Sequence, residues 1–307
     1  MNQIPSVDLR DFLSDNEQTK SMFVQTIGKA FQEIGFCAVR GHFLDDDLVN
    51  RLYSQIKLFF DSPTDVKRKY EHPEFSGQRG YVSFGKESAK GSKHGDLKEY
   101  WHFGQYISEK EISKYNYFPN IIVDELPEFN KVGEEVYKTL EKTAKYVLRA
   151  LALYLEIDEN YFDNYIKNGN SILRPIHYPP ITEDPKEAVR AAAHGDINLI
   201  TLLMGAHGKG LQVQNTKGEW IDAVASEDEL MINIGDMLSR HTNNVLKSTV
   251  HRVVNPDKEL LKKSRYSIPF FMHPISEMKL NVLESTICDE FPNCLLYTSD
   301  AADDVEC

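Results

Sequence analysis

Cysteine is scarce in this chain: four residues in 307, Cys37, Cys288, Cys294 and Cys307, with no C-x-x-C pair among them. That argues against a disulfide framework and a cysteine-rich zinc site, and it points to a reducing cytoplasm. Positive charge is also short, with 35 Lys and Arg against 47 Asp and Glu and a formal net charge of −12. Nucleic-acid and anionic-membrane scaffolds need a basic face, so neither partner is expected. A local basic pocket for a small acid is still compatible with the count. Long apolar runs are missing: the run over 197–206 is too short to span a bilayer. The opening MNQIPSVDLRDF has no signal-peptide core. No H-E-x-x-H motif is present, which argues against a zinc hydrolase. There is no internal repeat and no Pro/Ser-rich linker. We therefore expect one domain over 1–293, acting as a monomer on a small molecule, although the length lies near the limit of a single core.

The material that is present changes period half-way. Over 19–34, Met22, Phe23, Ile27, Ala30, Phe31 and Ile34 recur at helical spacing, Gly35 ends the run, and 36–39 reads as a buried strand. A second helix is expected over 45–60, opened by acidic residues that suit the positive end of its dipole. The Gly-, Ser- and Lys-rich stretch 78–91 reads as a mobile loop. A long amphipathic helix over 125–155 follows, with Phe129, Val132, Val136, Leu140, Val147 and Leu151 on one face. This first, helix-rich part covers 1–170. From 171 to 293 the segments 171–178, 197–204, 211–214, 219–223, 230–234, 248–254 and 265–272 are short and strand-like, separated by turn residues such as Lys217-Gly218 and Asn243-Asn244. The pattern predicts a mainly β fold with flanking helices. Its core would be a double-sheet jelly roll or barrel, covered on one outer face by the N-terminal helical layer.

The chemistry sits in the strand-rich half. His194-Gly195-Asp196 is an H-x-D pair, and His251 follows after a 54-residue gap. Residues two apart on an extended segment point to the same side, so His194 and Asp196 could share one ion, with Gly195 keeping the space between them open. Two imidazoles and a carboxylate with open positions form the ligand set of non-haem iron(II) oxygenases. On this triad alone, iron and a pair of ordinary histidines both remain open. Arg265 and Ser267 lie on the next expected strand and share a face. A guanidinium and a hydroxyl grip a carboxylate well, and a buried arginine beside Ile268, Phe270 and Phe271 needs an anionic partner.

HGD, the 54-residue gap, HRVVNP and then RYSIPFF resemble the isopenicillin N synthase-like family of iron(II)/2-oxoglutarate-dependent dioxygenases. IPSVDL resembles the family's opening strand, and GFCAVRGH and LRPIHYPP resemble further family segments, so the likeness runs over about 4–274. It implies a double-stranded β-helix core, iron(II) on His194, Asp196 and His251, and 2-oxoglutarate held by Arg265, Ser267 and Tyr178. It also implies dioxygen as oxidant, ascorbate as a support for activity, and succinate and carbon dioxide as co-products of hydroxylation, desaturation, cyclisation or an ethylene/succinate-forming reaction. Arg79, Tyr81, Tyr100, His102 and Phe271 lie in segments resembling the family's substrate-facing parts, with ordinary packing as the competing account. Two rivals stand beside this reading: an isopenicillin N synthase-type oxidase that uses no 2-oxoglutarate, and a cupin-like metal-binding module without oxygen chemistry.

Two departures stand out. His241-Thr242-Asn243-Asn244 replaces the family's Leu-Thr-Asn-Gly. Asn tolerates a left-handed turn, and His241 is a spare imidazole more easily read as a hairpin substitution than as a ligand. The segment 294–307 resembles the conceptual translation of a sequencing-library adapter and reads as a disordered, non-native tail. The family continues here with a helix, and the expectation is that its absence uncovers an apolar patch on the barrel.

Overall fold

The computed structural model describes residues 3–86, 97–181, 190–205, 210–254, 262–288 and 291. The segment 294–307 lies outside the described residues, as does part of the expected loop over 78–91.

The helical layer forms where the apolar spacing places it. Helix α1 (Leu9–Phe12) is a single turn. Helix α2 (Glu17–Glu33) begins at Asn16, whose side chain accepts from the Thr19 amide at 3.0 Å, and buries Phe23, Ile27, Ala30 and Phe31. Gly35 then turns the chain with φ of 78°, and a Cβ there would stand 2.3 Å from the Lys247 carbonyl oxygen. Helix α3 (Asp46–Phe60) is capped by Asp45, which accepts from the Leu48 amide at 2.7 Å. After the short α4 (Thr64–Arg68) and α5 (Glu109–Tyr115), the long α6 (Pro127–Tyr154) starts with proline in its first turn. Its buried stripe of Phe129, Val132, Val136, Leu140, Ala144, Val147 and Leu151 packs on α2 and α3 and on the sheet behind them.

The strands form two sheets. The larger, nine-stranded sheet starts with β1 (Ser6–Asp8) and β2 (Phe36–Arg40), paired in parallel. It continues through β11 (Leu230–Ile234), β8 (Ile200–Met204), β13 (Arg265–Met272), β6 (Ile176–Tyr178), β4 (Glu99–His102) and β3 (Gly80–Val82). Strand β5 (Ile172–Leu173) also pairs with β13. The smaller sheet orders β10 (Trp220–Asp222), β9 (Leu211–Gln214), β12 (His251–Val253) and β7 (Ala191–His194). This is the expected jelly-roll core with helices on one outer face. Two local expectations change. Residues 80–82, read as loop, form β3, because their backbone pairs with β4 despite the Gly-rich sequence. His241 lies on a helix, α8 (Asp236–His241), rather than in a hairpin. Asn243 and Asn244 follow it with φ of 53° and 60°, the left-handed geometry that asparagine tolerates.

Alternation gives each strand of the larger sheet two neighbourhoods. On β8, Ile200, Leu202 and Met204 join the main core under the helices; on β13, Ile268, Phe270 and Met272 do the same. The other parity faces the second sheet, where Phe36, Ala38, Leu211, Val213 and Met231 pack between the layers.

A buried polar cluster clamps the helix-side face of β4 and β6. The Glu99 carboxylate accepts from Lys67 Nζ at 2.8 and 3.0 Å and from the Tyr81 hydroxyl, and it faces His177 Nδ1 at 2.7 Å. Lys67 donates a further bond to the Phe60 carbonyl at 3.0 Å. Burial pushes the Glu99 carboxyl up, but His177, Lys67 and Tyr81 outweigh it and hold the group below its ordinary range. Lys67→Met should therefore lower unfolding stability by about 3–5 kcal/mol, because it leaves a buried carboxylate short of its cation. The double variant Lys67→Met/Glu99→Leu should regain much of that loss in urea titrations. The depressed carboxyl stabilises the fold fully above its unfolded pKa, and this contribution fades as pH falls through the folded value. Glu99→Gln should accordingly flatten the acid limb of the stability curve. A curve unchanged in shape would remove Glu99 as a source of that limb.

Candidate active site

The metal-ligand geometry follows from one cross-strand pair. His251 on β12 stands directly opposite His194 on β7, and their ring centroids are 4.4 Å apart. Asp196 lies just beyond the end of β7. One ligand atom from each of the three residues falls within 4.8 Å of the others. Asp196 Oδ1 is 3.9 Å from His194 Nε2, and Oδ2 is 3.9 Å from His251 Nε2. A Cβ at Gly195 would meet Asp236 Oδ1 at 3.4 Å, an ordinary contact, so space between the ligands does not require glycine there.

Neighbouring groups orient all three. Nδ1 of His194 lies 2.7 Å from the Ala192 carbonyl and Nδ1 of His251 lies 3.1 Å from that of Thr249. Each ring therefore donates its proton to backbone and turns the Nε2 lone pair toward the third ligand. Asp196 Oδ2 accepts from the Thr201 hydroxyl at 2.6 Å and from Asn233 Nδ2 at 2.8 Å. Asn198 donates to the same hydroxyl at 2.9 Å, which leaves its hydrogen for the carboxylate. Burial pushes Asp196 up, but His251 and the Asn233 and Thr201 bonds hold it below the usual carboxylate range. Burial pushes His251 down. Two imidazoles whose Nδ1 atoms are taken by backbone carbonyls, and a carboxylate between them, suit a divalent cation.

The triad opens into a cleft of about 690 Å³, counted with its mouth. Arg265, Ser267 and Tyr178 line the same cleft, with Arg265 paired to Tyr178 and Ser267 to Ile176 across β13 and β6. Arg265 makes no ion pair among the described residues, and its guanidinium lies 5.9 Å from the Tyr178 ring centroid. Phe271 also lines the cleft. Its ring lies 5.0 Å from the Arg174 guanidinium, whose other side faces Tyr100 at 4.7 Å. Arg174 Nε also bonds His102 Nε2, joining Tyr100, His102 and Phe271 into one cluster.

Arg79, Tyr81, Tyr100 and His102 do not line this cleft. The Arg79 guanidinium is buried on Gln105 Oε1 at 2.6 Å, Asn170 Oδ1 at 3.2 Å and the Gln78 carbonyl at 2.6 Å. Tyr81 donates to Glu99 on the opposite face of the sheet. His241 stacks on Tyr161, and its Nε2 lies 2.9 Å from that hydroxyl, so it is committed away from the triad. Sequence reasoning missed Arg174 and Lys98, both in the cleft wall. Arg174 had a signal, since it is two and four residues from Ile176 and Tyr178 and shares their parity. Lys98, Arg174 and Arg265 thus line the cleft together with Asp196.

Comparison with known proteins agrees with this geometry. Residues 4–125 match the N-terminal family model of the non-haem dioxygenase in morphine synthesis, and residues 167–274 match that of the 2OG-Fe(II) oxygenase superfamily. A 2-oxoglutarate-Fe(II) type oxidoreductase of Aspergillus fumigatus is 33% identical over 276 residues, which cover 87% of this chain and 81% of the relative. A 2OG-Fe(II) oxygenase family protein of Caulobacter crescentus superposes with a TM-score of 0.87 at 38% identity, over 96% of this chain and 94% of that one. A full-length Neurospora crassa protein solved in complex with alpha-KG superposes with a TM-score of 0.81 at 31% identity, over 94% of this chain and 89% of that one. These relatives favour the 2-oxoglutarate reading over the oxidase and cupin-like rivals. The chain belongs to the family of iron(II)- and 2-oxoglutarate-dependent oxygenases.

Proposed function

We propose that this chain oxidises a small organic substrate at one cleft, with His194, Asp196 and His251 holding iron(II) and Arg265, Ser267 and Tyr178 holding 2-oxoglutarate. The observation that carries the reading is the shared cleft: a preorganised His-Asp-His triad at one wall and an arginine without an ion pair among the described residues at another. Iron(II) bound there supplies the activation of dioxygen that couples decarboxylation of 2-oxoglutarate to substrate oxidation, with succinate and carbon dioxide as co-products. The chain's own groups orient and shield. Arg265 and Ser267 donate hydrogen bonds to the distal carboxylate of the co-substrate, and the guanidinium fork fixes its direction. Thr201 and Asn233 hold one Asp196 oxygen, so the carboxylate cannot swing to accept from either histidine. Phe36, Leu203, Leu211 and Val253 form apolar walls that limit water beside the reacting groups. We assign the prime substrate to the side of the cleft lined by Arg174 and Phe271, with Tyr100 and His102 packed against Arg174 behind it, a cationic and aromatic wall suited to a planar or acidic small molecule.

The same reading takes 1–293 as one domain, supported by N-terminal strands β1 and β2 joining the sheet of the C-terminal half. No helix among the described residues is long and apolar enough to cross a membrane. A cytoplasmic monomer, with ascorbate supporting turnover, is the accompanying proposal; the acidic charge and sparse cysteines support it.

His251→Ala should abolish iron binding and succinate formation while leaving the circular dichroism spectrum intact. Asn233→Leu, which frees Asp196 to rotate, should weaken metal affinity by about 10–100-fold. Full metal occupancy in the His251 variant by elemental analysis would falsify the ligand assignment. Arg265→Ala should weaken 2-oxoglutarate binding by about 2–5 kcal/mol, as for removal of one partner of a buried charge pair. Arg265→Lys should restore part of this, because a point charge cannot reproduce the fork. Anaerobic titration of the iron(II) protein with 2-oxoglutarate measures both, and an unchanged dissociation constant in the alanine variant sinks the co-substrate site.

A further inference from the structure

Arg190 is 2% exposed and stands immediately before β7, whose first residue, Ala191, lines the cleft. Among the described residues its Nε and Nη2 have no hydrogen-bond partner, and no carboxylate pairs with it. Its guanidinium carbon lies 5.3 Å from the Tyr178 ring centroid, and that of Arg265 lies 5.9 Å from the same centroid. Two guanidinium groups thus share one cleft-lining aromatic ring. The ring face offers attraction to the cations but no in-plane acceptor for the N–H donors of Arg190. Burying those donors and repelling Arg265 are both unfavourable unless an anion completes the site. The shift at Arg190 agrees: burial first, and then Arg265, lower its pKa.

We propose that Arg190 is a second anchor for the distal carboxylate of 2-oxoglutarate, held jointly with Arg265 and Ser267 around the Tyr178 ring. The inference rests on the co-substrate site proposed above. One carboxylate has acceptor positions for both arginines and for the Ser267 hydroxyl, and its charge relieves the repulsion between the two cations. Arg190 then selects for a 2-oxo acid with a second acidic end, since a mono-acid leaves two like charges facing each other across the site. It is a binding residue for the co-substrate and has no part in metal ligation.

The test is calorimetric titration of manganese(II)-loaded protein without dioxygen. The two probes are 2-oxoglutarate and 2-oxobutyrate, which keeps the 2-oxo acid end and lacks the distal carboxylate. Arg190→Gln should lose at least about tenfold in 2-oxoglutarate affinity, the scale of one charge-assisted hydrogen-bonding partner. Its 2-oxobutyrate affinity should stay unchanged or rise. Arg190→Lys keeps charge and bulk, and should fall between wild type and the glutamine variant; it answers the question if the glutamine variant does not fold. Equal losses for both acids, or a lowered melting temperature with wild-type 2-oxoglutarate affinity, would make Arg190 a structural residue and overturn the inference. Arg265→Ala in the same titration separates the two claims. If it loses 2-oxoglutarate and the Arg190 variants do not, only this inference fails. If none of them loses affinity, the co-substrate site fails as well.

Discussion

The constraint on which the site depends is that a strand shows two faces to two different surroundings. On β13, Ile268, Phe270 and Met272 are buried under the helical layer, so Arg265, Ser267, Pro269 and Phe271 must face the other way. On β11, Ile232 and Ile234 fix Asn233 toward Asp196. On β8, Ile200 and Leu202 fix Thr201 toward the same carboxylate. A one-residue slip in any of these strands would put a polar site residue under the helices and an apolar one in the cleft. Burial of the helix-side face therefore sets the register, and the register sets the chemistry.

The charge of the cleft is set locally. The protein is acidic overall, yet Arg265 in the cleft wall and the buried Arg190 beside it pair with no carboxylate among the described residues. A divalent cation at the triad adds to that positive charge, and a dianionic co-substrate reduces it. The site is thus best balanced when both are bound, and a concave pocket holding such cations focuses its field on small anions even within a negative envelope. Net charge argues against an extended polyanion as partner, and it leaves room for a small acid.

Legibility differed between the two halves for a physical reason. The long periodic helices and the strands with a buried alternate face were readable: α6, β9, β11 and β13 lie within two residues of their expected bounds or coincide with them. Elements held mainly by pairing were not. Residues 80–82, Gly80-Tyr81-Val82, are too few to show a period and sit in a Gly-, Ser- and Lys-rich stretch, so their pairing with β4 was not readable. Segment 191–194 is largely alanine before His194, with no period to read, yet it carries the first ligand. The triad and the Arg265–Ser267 pair were legible because spacing on one strand, and likeness to a family, both pointed to them. Arg79 misled because an arginine beside a family-like segment looks like a substrate contact, whereas Gln105 and Asn170 take its donors in the core. Arg174 was overlooked because Arg174-Pro175 interrupts the expected strand over 171–178. Proline lacks the amide donor, and the strand divides into β5 and β6 around it.

The two faces of the larger sheet are coupled through neighbouring residues. Glu99, His177 and Tyr266 form one connected group on the helix side, where His177 lies 2.7 Å from Glu99 and stacks on Tyr266 at 4.8 Å between centroids. Their immediate neighbours toward the cleft are Lys98 and Tyr100, Ile176 and Tyr178, and Arg265 and Ser267. Glu99 and His177 have their hydrogen bonds made, so any displacement leaves a polar group without a partner, and Tyr266 is held by its stacking on His177. The residues of the proposed co-substrate grip, Tyr178, Arg265 and Ser267, are therefore each one peptide unit from His177 or Tyr266. The grip needs such support more than the metal triad does. Each triad ligand is braced by hydrogen bonds: His194 and His251 donate to the Ala192 and Thr249 carbonyls, and Asp196 accepts from Thr201 and Asn233. Arg265 makes no ion pair among the described residues, and its long side chain gains its direction from the backbone that carries it. The buried Lys67–Glu99–His177 cluster, remote from the chemistry, thereby holds the arginine where a carboxylate can meet it.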